Sequence, residues 1–163
     1  MPKGRSLHPI RVAALLTVVS LATTVASLEA ATELELEGFW IRAMPPGQPM
    51  AAGYGDIVNR GDRPIQIREL STNIAQNAEL HSSIHENGRV RMVPMASEPL
   101  APGARIQLTP GGDHLMLMGV TQSPQLGDKV ELCIAFMRTD VTDSGRACHE
   151  IPVLRKAPSQ GDD

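Results

Sequence analysis

A chain of 163 residues is long enough for one domain and a leader segment. It carries 15 basic and 18 acidic residues, a formal net charge of −3, and only 2% aromatic residues. A nucleic-acid-binding protein would show a basic patch and aromatic side chains for base stacking, so we predict no nucleic-acid partner.

The first 31 residues have the pattern of a secretory signal peptide. Three basic residues precede an uncharged run from Val12 to Leu28, and small residues follow it. The run is short, and diluted by Ser and Thr, for a membrane span of about 20 residues. We therefore expect cleavage between residues 26 and 31, with no stable membrane insertion afterwards. No Cys lies near this zone, so a lipid anchor is not expected either.

The remaining chain is predicted to form one domain over residues 32–155, followed by a polar, disordered tail at 156–163. Three basic residues and one acidic residue precede residue 32, so the rest of the chain carries a net charge of −5. The full sequence contains thirteen Pro and fourteen Gly, most of them after residue 31, where they divide the chain into short pieces. The extended segments predicted in chain order are 33–41, 51–58, 64–70, 79–85, 89–95, 105–108, 114–120, 129–138 and 146–154. Short strands separated by regular turns are typical of an all-β fold, here a Greek-key β-sandwich or barrel.

The fourth and fifth segments flank Asn87-Gly88, a strong signal for a two-residue hairpin turn. Such a turn places Ser83 opposite Met92, with His81 and His85 on the same face. Both histidines are then diagonal neighbours of Met92, at roughly 7–8 Å between backbones. The hairpin therefore predicts a His/Met cluster but does not choose between the two histidines.

The seventh segment begins with HLMLM and adds a further imidazole and two thioethers. Alternation along a strand places His114, Met116 and Met118 on one face, and Leu115 and Leu117 on the other. The leucines suit the core, which leaves the imidazole and thioethers together. Neutral nitrogen and thioether donors suit Cu(I) far better than Mg²⁺, Ca²⁺ or Mn²⁺. The alternative is that these methionines are core filler with no metal.

The two cysteines lie on opposite strands of the last predicted hairpin. A turn near Val141 would bring Cys133 and Cys148 almost opposite each other, and an exported protein favours a disulfide between them. The alternative is two small buried apolar residues. A blue-copper site needs His₂Cys, and neither Cys stands in a His/Met row. A zinc site on a helix at His81-x₃-His85 is disfavoured by the Asn-Gly turn.

The spacing His81-x₁₀-Met92-x₂₁-His114-x-Met116 resembles the signature of the periplasmic Cu(I) chaperones of the PCuAC family. The segments around Trp40-Ile41-Arg42-Ala43 and Pro110-Gly111-Gly112 are also similar to that family. The resemblance implies a cupredoxin-like β-fold, a periplasmic location and one Cu(I) per chain. It implies four ligands, and three accessory candidates remain beside them. The implied ligands are His81, Met92, His114 and Met116, and the accessory candidates are Met118, Met44 and His85.

The same resemblance implies a metallochaperone that delivers copper to the dinuclear copper centre of cytochrome c oxidase. Its expected partner is the copper-bearing subunit of that oxidase or another periplasmic copper carrier, and we expect a monomer. The sequence has no nucleophile elbow, phosphate loop or paired-carboxylate motif, which favours a carrier over an enzyme. Two alternatives stay open, a copper-scavenging or resistance protein and a metal-free immunoglobulin-like interaction module.

Overall fold

A computed structural model describes residues 33–158 of the chain, and the predicted signal peptide lies outside them. All nine predicted segments are strands, and residues 33–158 contain no helix, hence none long and apolar enough to cross a membrane. The strands are β1 (Leu34–Arg42), β2 (Met50–Asn59), β3 (Ile65–Thr72), β4 (Ala75–Glu86), β5 (Arg89–Pro94), β6 (Arg105–Leu108), β7 (His114–Val120), β8 (Lys129–Arg138) and β9 (Asp143–Leu154).

Seven of the strands close into a barrel. Their order is β1-β9-β8-β3-β4-β7-β2, and pairing of β1 with β2 completes the circle. Strands that are distant in sequence are neighbours, as in a Greek-key connection. Strand β5 extends β4 as a hairpin, and β6 pairs with the far half of β2. The predicted all-β, Greek-key fold is therefore confirmed, in its barrel form.

The barrel interior is filled by one side of each strand. On β7 this side carries Leu115 and Leu117, which are fully buried as their alternation predicted. Burying a leucine of this kind stabilises the fold by about 1.5–3 kcal/mol. Other fully buried side chains come from all around the barrel: Leu34, Ile41, Ile57, Ile65, Leu108, Val130, Leu132, Ile134 and Val153. The outward side chains of β2, β4 and β7 are therefore not needed for the core and can form a binding site.

A bulge in β1 sets which side chains face outward beside this region. The β1–β2 register shifts between Glu37 and Trp40. Gly55 faces the bulge with φ +130°, and a Cβ there would lie 2.5 Å from the Cα of Phe39. Only glycine fits such a position without strain. Beyond the bulge the Trp40 and Tyr54 rings pack against each other on the outer side of the sheet, with centroids 5.1 Å apart and planes tilted by 43°.

A disulfide joins Cys133 on β8 to Cys148 on β9, where the two residues are directly opposed. Its sequence separation of 15 corresponds to a stabilisation of about 3 kcal/mol in the chain-entropy model. Because β8 and β9 are separated from β4, β7 and β2 around the barrel, this covalent link stabilises the scaffold without entering the His/Met region.

Candidate metal site

The β4–β5 hairpin has the register that the sequence predicted. Ser83 pairs with Met92, His85 with Val90, and Glu86 with Arg89. The turn residues Asn87 and Gly88 both have positive φ, 50° and 73°, as a type I′ turn requires. His81 and Met92 are thus diagonal neighbours on one face of the hairpin.

Strand β7 lies between β4 and β2 and brings the second half of the motif to the same face. His114 pairs with His81 directly, which the sequence alone did not predict. Two residues along, Met116 pairs with Glu79 on β4 and with Ala52 on β2. We call the outward side chains of β2, β4, β5 and β7 the His/Met face. It comprises Met50, Ala52, Tyr54, Asn77, Glu79, His81, Ser83, His85, Val90, Met92, His114, Met116 and Met118.

The two opposed histidines are the buried centre of this face. His81 is 8% exposed and His114 is 5% exposed, and their ring centroids are 6.2 Å apart. A metal lies about 2 Å from an imidazole nitrogen, and the ring centre about 1 Å farther, so two rings on one ion are roughly 5–6 Å apart, depending on the angle between them. The observed separation suits a shared ion.

Hydrogen bonds orient both rings. The Nδ1 of His114 lies 3.1 Å from the carbonyl oxygen of Gly112, to which it can only donate, so Nε2 keeps its lone pair. The Nε2 of His81 lies 3.0 Å from Glu79 Oε2 and donates to it. The Nδ1 of His81 is then a buried acceptor with no hydrogen-bond partner. Metal-binding histidines are typically held this way, with one nitrogen bonded to a carbonyl or carboxylate and the other left for the metal.

A shallow cavity of about 230 Å³ opens beside His114. Met92, 54% exposed, lines it together with His85, Ser83, Val90, Tyr54, Ala52 and Gly111. The structure therefore groups His85 with Met92 and His114 on one side, and His81 with His114 on the other. His85 is exposed, and its Nε2 lies 3.4 Å from the carbonyl oxygen of Gly111.

The two accessory methionines, Met118 and Met44, lie in different environments. Met118 shares the face of Met116, opposite Asn77 and Met50. Met44 is half-buried and packs against the hydrophobic core at the end of β1. Both cysteines are in the disulfide, which removes the thiolate that a blue-copper site needs.

Residues 33–158 hold no cluster of three or more His, Cys, Asp or Glu side chains that could bind a metal. The side chains that this face offers a metal are the two imidazoles together with the thioethers of Met92 and Met116. The ion that accepts two imidazoles with thioethers is a soft one, and Cu(I) fits this donor set.

Two residues of the face were missed by sequence reasoning. Glu79, which orients His81, stands two positions before it on the same side of a strand, and that spacing was the available signal. Tyr54 lies in an Ala-Gly-Tyr-Gly run on β2, where Gly53 pairs with the inward Leu115, so alternation directs Tyr54 outward. Its ring forms part of the cavity wall beside Met92 and His114.

Fold and face together define a cupredoxin-like β-barrel with a buried His pair and flanking methionines. A family model described as "Putative lipoprotein LpqE-like" matches residues 34–153, and the chain belongs to this LpqE-like family. A curated relative, "Putative lipoprotein Lxx21020" of Leifsonia xyli subsp. xyli (strain CTCB07), is 31% identical over 98 residues. That match covers 60% of this chain and 58% of the relative, so the chain spans less than two thirds of the relative's length.

Solved structures with the same fold are PCuAC domains. The apo PCuAC domain of PmoF2 matches with a TM-score of 0.59 and 23% identity, over 78% of this chain and 93% of that one. The copper-bound PCuAC domain of PmoF2 gives 0.57 and 22%, over 78% and 95%. The apo PCuAC domain of PmoF1 gives 0.56 and 24%, over 78% and 96%. These matches confirm the cupredoxin-like fold that the resemblance to the PCuAC family implied.

Proposed function

We propose that this protein is a Cu(I) carrier that binds one ion through His81, Met92, His114 and Met116. The observation that carries the proposal is the buried, unpartnered Nδ1 of His81 beside His114. A buried polar atom without a hydrogen bond costs about 1–3 kcal/mol, and a metal ligand bond would remove that cost. The shared fold with PCuAC domains, one of them copper-bound, supports the same assignment.

The differing exposure of the four ligands suits a carrier better than a permanent metal centre. The two histidines are buried, whereas Met92 is 54% exposed at the rim. A partner's ligand can therefore replace Met92 first, while the imidazoles still hold the ion. Thioethers also suit an oxidising compartment, where thiolates would form disulfides. Nothing in this arrangement requires a catalytic group, so we propose a carrier and not an enzyme.

Copper stoichiometry under reducing conditions tests the site. We expect the wild type to bind one Cu(I) per chain tightly, and the double variant His114→Ala with Met116→Ala to lose this tight binding. Circular dichroism and thermal unfolding of the double variant control for its fold, because both side chains lie on the outer face of β7. Absence of binding in the wild type would contradict the proposal and favour the metal-free interaction module.

Delivery, and not storage, is the proposed use of the site. The proposed acceptor is the copper-bearing subunit of cytochrome c oxidase or another periplasmic copper carrier, reached by stepwise exchange of ligands in a transient complex. Copper-loaded protein mixed with the apo-acceptor is expected to lose its metal faster than by spontaneous release. Equal rates would contradict delivery and favour copper scavenging or resistance, which need the same site without an acceptor.

The proposed location is the periplasm, reached by export and with the chain acting as a monomer. The family and the curated relative carry the word lipoprotein in their descriptions, which supports export. In this chain both cysteines of the sequence are joined in the β8–β9 disulfide. A disulfide between directly opposed strands is itself typical of exported proteins.

A further inference from the structure

Two methionines, Met50 and Met118, continue the His/Met face beyond the four proposed ligands. Met118 on β7 pairs directly with Met50 on β2, and Met116 is the next outward residue of β7 toward His114. Across β7, Met118 faces Asn77 and Met116 faces Glu79 on β4. We call each set of residues that are opposite one another across the strands a row. From one end of the face to the other, the first row holds Met50 and Met118, the second holds Met116, and the third holds His114 and His81.

The spacing of Met50, Met116 and Met118 allows their three thioether sulfurs to bind one ion. Directly opposed residues of an antiparallel pair have Cβ atoms about 4.5–5.5 Å apart. Successive outward residues of a strand are about 7 Å apart along its axis, at 3.4 Å per residue. Methionine is unbranched with three rotatable bonds, so its sulfur can cover half of either gap.

Exposure changes steadily along the same rows. Met50 is 49% exposed, Met116 and Met118 are half-buried, and His114 is 5% exposed. The core does not need these methionines, because Leu115 and Leu117 fill it from the other side of β7. None of the nine outward positions at 50, 52, 54, 77, 79, 81, 114, 116 and 118 is Lys or Arg.

The Glu79 carboxylate gives these rows a favourable charge for a cation. Its side chain is 48% exposed, its Oε2 contacts the His81 ring, and it pairs across the sheet with Met116. A monovalent soft cation at the Met50/Met118 row would thus approach neutral sulfur ligands and one nearby negative charge. A hard divalent cation would find too few oxygen ligands there.

We propose that Met50, Met116 and Met118 form a second, weaker subsite for a soft monovalent ion, Cu(I) or its analogue Ag(I), through which the buried histidine site is loaded. Met116 is shared between the two sites: it completes the subsite during loading, and once the histidine site is filled a second ion is held by Met50 and Met118 alone, and therefore more weakly. Met116 stays coordinated while His114 and His81 replace Met118 and Met50, so the ion moves one row without a change of oxidation state. The loading role rests on the proposed function, whereas soft-ion binding by the three thioethers does not.

The test uses the full chain with ¹³C-labelled methionine methyl groups, which give eight signals for the eight methionines. Ag(I) is the redox-inert probe, and Cu(I) under anaerobic, reducing conditions is the second. We expect the first equivalent to shift the methyl signals of Met92 and Met116, and the second to shift those of Met50 and Met118. Single Met→Leu variants assign the signals.

The decisive variant is Met50→Leu with Met118→Leu, which keeps the apolar volume and removes both sulfurs. It should still bind the first ion, lose the second, and take up Cu(I) from a chelated donor at least about tenfold more slowly. Met137→Leu on β8 is the matched control, because that residue pairs with Gln66 on β3 and Ser144 on β9.

The outcomes separate this subsite from the proposed copper site. Shifts at Met92 and Met116 with Met50 and Met118 unmoved would overturn the subsite and leave the proposed function intact. Shifts at Met50 and Met118 with Met92 unmoved would establish the subsite and contradict the four-ligand site. Equal shifts at Met137 would show unspecific thioether binding and overturn the subsite. An unchanged loading rate in the double variant would overturn the loading role.

Discussion

Replacing His81 with alanine is expected to weaken Cu(I) binding by at least about 100-fold, whereas replacing His85 should weaken it by less than about threefold. Both histidines are diagonal to Met92 on one hairpin face, so the sequence alone leaves the choice between them open. The tertiary structure distinguishes the two histidines. His81 is buried, directly opposite His114, with an unpartnered Nδ1, whereas His85 is exposed at the cavity rim.

The measurement is competition for Cu(I) against a chromogenic chelator under reducing conditions. His149→Ala on β9 controls for removal of a histidine from the far side of the barrel, where His149 pairs with Leu132. Thermal unfolding of each variant controls for the fold. A larger loss in His85→Ala than in His81→Ala would move the proposed site into the cavity beside Met92 and reassign one ligand.

Much of the hairpin and of β7 could be predicted because strand alternation and turn chemistry are local rules. Asn87-Gly88 fixes the turn type, the turn fixes the register, and the register places Ser83 opposite Met92. In the same way Leu115 and Leu117 identify the inner side of β7, so His114 and Met116 had to face outward. These inferences need no knowledge of which strands are neighbours.

The contacts between sequence-distant strands could not be predicted from such rules. That His81 lies directly opposite His114 depends on the β4–β7 register, which spans more than thirty residues of chain. Strand β4 also begins at Ala75, four residues before the predicted start. The sequence pattern missed this part of the strand because Gln76 and Asn77 are polar. The segment is extended because it pairs with β7.

The direction of Trp40 on β1 could not be predicted for a different reason. A bulge shifts the β1–β2 register by an irregular step, so simple alternation from Leu34 fails beyond Glu37. Gly55 permits the bulge, because any larger residue would meet the Phe39 backbone. Trp40 lies beyond the bulge, is 3% exposed, and has its ring centroid 5.1 Å from that of Tyr54.

Replacing Leu115 with alanine is expected to lower the free energy of unfolding by about 2–5 kcal/mol. Leu115 is fully buried on β7 between His114 and Met116. Its Cδ2 atom lies 3.0 Å from where a Cβ on Gly53 would stand, so β2 approaches it closely. The variant leaves a cavity on the inner side of the strand that presents the metal ligands outward. Denaturant unfolding of the metal-free protein measures the loss.

Leu126→Ala is the matched control, because Leu126 is 54% exposed and its truncation should change stability by no more than about 0.5 kcal/mol. Cu(I) at about 100 times its dissociation constant should then stabilise the wild type and Leu115→Ala alike, by about 2.7 kcal/mol. Equal stabilisation would show that the outer face survives a cavity behind it. A loss in Leu115→Ala as small as in Leu126→Ala would contradict the inward direction of Leu115, and with it the outward direction of His114 and Met116 on which the proposed site depends.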